Sequence, residues 1–257
     1  KSPNLGQVVA AYSPYGKECR SLFHAPYDWD QLGIDAKGLE IRTLAGYLAL
    51  WDDGEYASLV VNPEVDIHTY NQEKFGVATR DIAKRLLYAM LYGCGAAKAG
   101  TIIDPREKNE EKLRVLGRDA IDGFLRGVPA LRKLKDQVEE TIATRGFLIG
   151  LDKGPLHCRS AFKGLNVLLQ SAGAILMKQV VININRNIKN NLGLEYGHDW
   201  FQMLMIHDEV QIACNPKHTE AINKEALNAF PEAQHFFGFK CKIEGDSKVG
   251  SNWADTH

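Results

Sequence analysis

With 257 residues, 45% of them hydrophobic and 25% charged, the chain has the composition of a folded protein with enough apolar mass for one large core or two modest ones. A formal net charge of −1 excludes a global pull toward nucleic acid, so any polyanion site must come from local clustering. Five scattered cysteines (Cys19, Cys94, Cys158, Cys214, Cys241) without CxxC spacing argue against a disulfide framework or zinc site and for reduced thiols in a cytosol-like compartment. No apolar run is seen to approach ~20 residues and no signal peptide opens the chain, so no membrane or export route is expected.

The chain opens at Lys1-Ser2-Pro3-Asn4-Leu5 without an initiator Met, as a processed start or a piece of something longer. Residues 1–30 are rich in turn-formers (Pro3, Gly6, Pro14, Gly16, Pro26), and the runs 7–11 and 19–24 are candidate strands within irregular edge structure. Arg20, among apolar neighbours, is either a salt-bridged surface arginine or a polar finger toward a ligand. Residues 31–42 read as a short strand followed by a helix start, with Leu39, Ala45, Leu48 and Ala49 on an apolar stripe. Asp35, between strand and helix, is most simply a helix cap, the commoner use of such a residue.

After the acidic turn Asp52-Asp53-Gly54-Glu55 comes Asp66-Ile67-His68-Thr69, and then a helix capped by Thr79 and stopped at Gly93. Arg80, Lys84, Tyr88 and Tyr92 recur every four residues, so they share one slowly drifting face. From Arg80 to Tyr88 the rise is about 12 Å, the reach of a nucleoside triphosphate: two cations for phosphates, an aromatic ring for sugar or base. A solvated basic face over core tyrosines would give the same pattern.

Residues 107–125 and 128–145 read as charged amphipathic helices parted at Gly127-Val128-Pro129, and residues 146–159 as a loop or hairpin. A long helix over 161–188 carries Asn166 and Gln170 one turn apart; amides on a buried face are either satisfied core groups or readers of a base edge. In Met203-Leu204-Met205-Ile206-His207-Asp208-Glu209-Val210-Gln211-Ile212 two apolar runs flank a tight polar break, which predicts a hairpin with the acids at its turn. An ordinary hairpin with a polar tip fits too, but close-set acids on rigid backbone suit Mg²⁺. Asp35 is the only other acid so placed at a strand end, and together with Asp208 it would make a shared metal site. A helix over 218–230 and a last strand over 239–243 close the pattern.

Taken together, three stretches resemble the three motifs of the family A DNA polymerases, the bacterial polymerase I family, and most of all its short-tailed-phage branch. Asp35-Ala36-Lys37-Gly38-Leu39-Glu40-Ile41-Arg42 is similar to DxSxxELR; Arg80-xxx-Lys84-xxx-Tyr88-xxx-Tyr92-Gly93 matches RxxxKxxx[FY]xxxYG; Ile206-His207-Asp208-Glu209 matches the metal-binding HDE turn. Ser2-Pro3-Asn4-Leu5, Asp66-Ile67-His68, Gln170-Ser171-Ala172-Gly173-Ala174 and the Trp253…His257 ending extend the likeness over nearly the whole chain. Lys37 departs from the usual Ser or Tyr, and Leu151-Asp152-Lys153-Gly154 departs from a Gly-Arg-rich segment common in bacterial members.

The resemblance implies an α+β right-hand polymerase, with an antiparallel palm sheet over 1–49 and 158–257 and α-helical fingers over 50–157; the family's thumb and exonuclease domain precede this region and are absent from it. It implies template-directed DNA synthesis during replication, in the host cytoplasm if phage-encoded, on primer-template DNA and deoxynucleoside triphosphates, with an N-terminal half carrying the thumb as partner. Two Mg²⁺ ions would be held by Asp35, Asp208 and the Ala36 carbonyl, with Glu209 auxiliary. Arg80, Lys84 and His68 would grip phosphates, Lys84 also protonating pyrophosphate. Tyr88 would pack at the sugar, Glu40 would block a 2′-hydroxyl and Tyr92 would stack by the template base. Arg20, Asn166, Gln170 and His207 would meet the primer terminus or minor groove. A single-subunit RNA polymerase shares the Arg/Lys/Tyr helix and paired aspartates, but Glu40 and Glu209 argue for DNA; a non-catalytic DNA-binding fragment is the third reading.

Overall fold

The computed structural model describes residues 5–257, so Ser2-Pro3-Asn4 of the family-like opening lies outside the described residues. A 3-10 turn (Leu5–Gln7) leads to α1 (Gly16–Ser21), β1 (Asp30–Ala36), α2 (Leu39–Leu48), α3 (Glu55–Val61), α4 (Ile67–Phe75), α5 (Arg80–Leu91), α6 (Ala96–Ile103), α7 (Glu110–Gly127) and α8 (Pro129–Arg145). A small hairpin of β2 (Phe147–Ile149) and β3 (Pro155–His157) precedes α9 (Gly164–Asn187), β4 (Trp200–Ile206), β5 (Glu209–Cys214), α10 (Thr219–Phe237) and β6 (Gly245–Gly250). The expected α+β class is observed, with one antiparallel four-stranded sheet. The chain divides into two compact units, Lys1–Leu39 with Gly173–His257 and Glu40–Ala172. Both boundaries fall inside helices, α2 and α9, whereas the sequence reading set divisions at 49/50 and 157/158.

The first unit is built on the sheet, in the order β4-β5-β1-β6. Leu32, Ile34 and Ala36 of β1 alternate onto one buried face, which α10 covers: Phe230 lies so close to Gly245 that an added Cβ there would sit 2.4 Å from its ring. The other face carries Gln31, Gly33 and Asp35, and here the final segment of the chain lies on the sheet. A Cβ on Gly33 would meet Thr256 O at 2.5 Å and Gln211 Nε2 at 2.6 Å, so glycine is needed for close approach rather than for its dihedral freedom.

The second unit is almost entirely helical. Its α6 and α7 pack backbone to backbone, because Gly100 and Gly117 present no side chain: a Cβ at Gly100 would lie 1.9 Å from Leu113 O, and one at Gly117 2.0 Å from Ala96 O. Phe75 of α4 stacks on Phe124 of α7 with ring centroids 4.1 Å apart. Thr79 caps α5 as expected, its hydroxyl accepting from Ile82 N–H at 3.2 Å.

Four local expectations are corrected. The run 19–24 is the end of α1 and a turn, not a strand; only His24 makes an isolated bridge, to Asn252. Asp35 lies within β1, with Lys37 and Gly38 between the strand and α2, too early to cap the helix. The alternation at Phe239, Cys241 and Ile243 is real, all three being buried, but the ladder forms farther on, over Gly245–Gly250; α10 runs through Pro231 to Phe237 and delays the strand. Contrary to the expectation of no long apolar run, the continuous stretch Ala161–Leu192 has the length and apolar character of a membrane span; half of its apolar window is buried within this protein, and Asn183 anchors it by donating to Ala229 O at 3.1 Å.

Gly33→Ala is expected to destabilise the sheet unit by about 1–3 kcal/mol, the usual cost of overpacking. Urea denaturation measures it; an unchanged midpoint would mean that the 253–257 segment does not rest on β1.

Candidate active site

The hairpin predicted around the acids forms. Ile206 and Glu209 are its last paired residues, leaving His207 and Asp208 as a two-residue loop in which His207 has φ 52, a conformation uncommon outside glycine. The loop is joined to the neighbouring strand: Ala36 N–H donates to the Asp208 carbonyl at 3.0 Å. Asp35 pairs in register with Glu209 on one side and Asp246 on the other. Asp35 and Asp208 are therefore brought to adjacent strand ends, Asp35 exposed and Asp208 half-buried, with exposed Asp246 beside them. Mg²⁺ is held in nucleotide sites by one or two carboxylates with phosphates and waters completing the shell. No group of three or more His, Cys, Asp and Glu able to hold a metal occurs among the described residues; the pair of aspartates with the Ala36 carbonyl fits the smaller protein share that such a site requires.

Glu209 is placed differently from its aspartate neighbours. It is buried, and its Oε1 accepts from Trp253 Nε1 at 2.7 Å and Gln211 Nε2 at 2.5 Å, while Oε2 lies 2.9 Å from His257 Nδ1. The network continues inward, Gln31 Nε2 donating to Gln211 Oε1 at 2.7 Å and Thr256 Oγ1 to the same oxygen at 2.8 Å. A desolvated carboxylate so engaged ties the 253–257 segment to the base of the loop that carries Asp208. Arg20 extends this assembly. It is only 7% exposed, its guanidinium lies 4.3 Å from the Trp253 ring centroid and its Nε donates to Val9 O at 3.0 Å. The surface-arginine reading is thus corrected: Arg20 is buried against an aromatic ring. Exposed His207 sits at the loop tip.

In the helical unit, Ala83, Leu86, Leu87 and Leu91 bury one face of α5, leaving Arg80 and Lys84 exposed and Tyr88 half-buried. His68, in the first turn of α4, joins this face, its ring centroid 6.1 Å from that of Tyr88. Burial, and then the charges of Arg80 and Lys84, hold the His68 imidazole below its usual pKa of 6.5. Asp66 caps α4, Oδ1 accepting from His68 N–H at 3.0 Å, and also pairs with Arg80 through both carboxylate oxygens. The Arg80 hydrogen bond leads the causes that keep the Asp66 carboxyl far below the usual carboxylate range. At the other end of α5 the Tyr92 hydroxyl donates to Glu40 Oε1 at 3.1 Å, and Asn166 Nδ2 donates to Leu91 O at 3.2 Å. Gln170 is exposed on α9.

The predicted residues therefore gather into three groups: Asp35, Ala36, Asp208 and Glu209; His68, Arg80, Lys84 and Tyr88; and Glu40, Tyr92 and Asn166. Sequence reasoning missed Asp66, Gln211 and Trp253 as partners. Asp66 had a usable signal, an Asx residue just before a helix. For Gln211 and Trp253 no local signal exists, because their partner is brought by sheet register and the returning chain.

DNA polymerase family A matches residues 1–255. The DNA-directed DNA polymerase of Enterobacteria phage T3 is 36% identical over 99% of this chain, and that of Escherichia phage T7 is 35% identical over 99%; the chain spans 38% of the length of each. DNA polymerase theta of Caenorhabditis elegans is 26% identical over 98% of this chain and 15% of its own length. The solved POL domain of Pol1 from M. smegmatis, in complex with DNA primer-template and dNTP, has a TM-score of 0.78 at 18% identity, covering 98% of this chain and 45% of that one; this likeness speaks for the fold. With its acid-bearing hairpin beside β1 and its Arg/Lys/Tyr helix face both formed, and a match running from residue 1 to residue 255, the chain belongs to DNA polymerase family A.

Proposed function

We propose that this chain carries the palm and fingers of a DNA-directed DNA polymerase that adds deoxynucleotides to a primer 3′-end during replication, as part of a larger or split enzyme whose N-terminal portion supplies the thumb. The observation that carries this reading is the bond from Ala36 N–H to Asp208 O, which sets two aspartates from distant parts of the chain side by side on adjacent strand ends. Asp35, Asp208 and the Ala36 carbonyl would hold two Mg²⁺ ions. Bound there, the metals supply a lowered pKa at the primer hydroxyl and charge neutralisation at the leaving pyrophosphate.

The remaining roles belong to the chain's own groups. Arg80 and Lys84 bind the triphosphate, and exposed Lys84, which makes no ion pair among the described residues, is available to give the leaving pyrophosphate a proton. His68, whose imidazole burial and the nearby cations hold below its usual pKa, serves as a hydrogen-bonding group before phosphates raise that pKa. Tyr88 packs at the sugar. Glu40, steadied by Tyr92, stands against a 2′-hydroxyl, which favours deoxynucleotides over the ribonucleotides of the RNA-polymerase alternative. Gln170 and His207 are exposed for contact with the primer and minor groove, whereas Asn166 and Arg20 are already engaged within the protein and act through the elements that they brace.

Primer extension with deoxy- and ribonucleotides, with and without a thumb-bearing fragment, tests the reading directly. Asp35→Ala and Asp208→Ala are each expected to abolish incorporation while leaving the fold intact. Incorporation retained within about tenfold, or about 1.4 kcal/mol of barrier, would rule out the two-metal assignment. Glu40→Ala is expected to ease ribonucleotide entry, and an unchanged deoxy-to-ribo efficiency ratio would place the gate elsewhere.

A pH effect follows from His68. The unfolded ring takes up a proton near pH 6.5 and the folded ring resists it, so this residue costs stability as pH falls below about 6.5 toward the lower folded value. NMR titration of the ring is expected to give a midpoint below 6.5 in the free protein, moving up when a deoxynucleoside triphosphate is added. A midpoint unmoved at saturating nucleotide would place the phosphates away from His68.

A further inference from the structure

We infer that Asp66 is a positioning residue for the triphosphate, a single carboxylate that sets the guanidinium plane of Arg80 relative to His68; the inference rests on the polymerase reading above. Four donors fill the carboxylate. Oδ1 accepts from His68 N–H at 3.0 Å and Arg80 Nη2 at 3.2 Å, while Oδ2 accepts from Thr69 Oγ1 at 3.0 Å and from Arg80 Nε. The same group thus closes the first turn of α4, which carries His68, and holds the first residue of α5.

The chemistry of arginine turns this bond into orientation. A guanidinium is planar, so engaging its Nε and Nη2 edge fixes the whole plane and leaves the outer N–H groups to a ligand. Asp81 lies 3.7 Å from Nη1, but with a side chain 87% exposed it is a loose neighbour that a phosphate oxygen can displace. Because Arg80 and Asp66 are themselves about half exposed, the pair is poor as a stabilising contact; its value lies in where it leaves the free edge of the fork.

Asp66→Asn isolates this role. Asn is as good a helix cap as Asp, so the bond from His68 N–H survives, while an amide N–H₂ now faces an arginine donor and the two-point pair is lost. In the polymerase that carries this chain, steady-state incorporation on primer-template is expected to show the KM for a deoxynucleoside triphosphate raised about fivefold with kcat within about twofold, the pattern of lost ground-state binding. Arg80→Gln should raise KM at least as much, and Asp66→Asn added to it should raise KM no further, since the two act as one unit. Arg80→Lys, which leaves the α4 cap untouched but cannot form the fork, should reproduce the Asp66→Asn shift and serves where Asp66→Asn lowers the unfolding temperature. A KM unchanged in both Asp66→Asn and Arg80→Lys while Arg80→Gln raises it overturns the positioning role and leaves the polymerase reading standing. An additive effect of Asp66→Asn on Arg80→Gln also overturns it. A KM unmoved by Arg80→Gln overturns both.

Discussion

The sheet unit depends on one buried negative charge. Glu209 opens β5 immediately after the loop that carries Asp208, and its carboxylate is withdrawn from water. A carboxylate in that position is tolerable only if donors surround it, and removal of one would leave an uncompensated charge. The donors come from Gln211 on the same strand and from Trp253 and His257 far along the chain. The demand for partners therefore brings the last residues back onto the sheet, where Gly33 leaves room for them and Arg20 closes over the Trp253 ring. A loop that must hold His207 at positive φ and present Asp208 gains a rigid footing from this arrangement.

The helical unit solves a different electrostatic problem. Arg80 and Lys84 stay solvated on the exposed face of α5, and the apolar positions of the other face anchor the helix. Clustered positive charge is self-repelling, and two features bear on it: burial, and then the charges of Arg80 and Lys84, hold the His68 imidazole below its usual pKa, and the Arg80 charge is matched by Asp66. Buried charge secures position in one unit, and exposed charge kept in check secures readiness in the other. Within the same unit, the bond from Tyr92 to Glu40 links the end of α5 to the start of α2.

Much of this was legible in the sequence because it is local. Four-residue spacing alone aligns Arg80, Lys84, Tyr88 and Tyr92, since a helix repeats every 3.6 residues; Thr79 and Gly93 mark its ends; and two apolar runs about a two-residue polar break fold as a hairpin because no other pairing is as near in the chain. These regularities, taken with their order, also sufficed to recognise the family. Where a local rule misled, a tertiary term outweighed it: Asp35 resembles a cap until strand pairing with Glu209 and Asp246 carries β1 past it, and Phe239, Cys241 and Ile243 resemble a strand until α10 runs on through Pro231.

What only the tertiary structure decided is the pairing of groups far apart in the chain. Nothing near Arg20 announces Trp253, nothing near Glu209 announces His257, and the amide of Asn166 reads as a base contact until the end of α5 arrives to accept its hydrogen bond. Two carboxylates separated by most of the chain become a candidate metal site only when β1 is laid against β5 and Ala36 bonds to Asp208. The sequence by itself determined on which local elements the candidate side chains sit and which of them share a face, because propensity, capping and periodicity act over a few residues. Their meeting was decided by sheet register and by the need of buried polar groups for partners, forces that act through space and leave no mark on neighbouring positions in the chain.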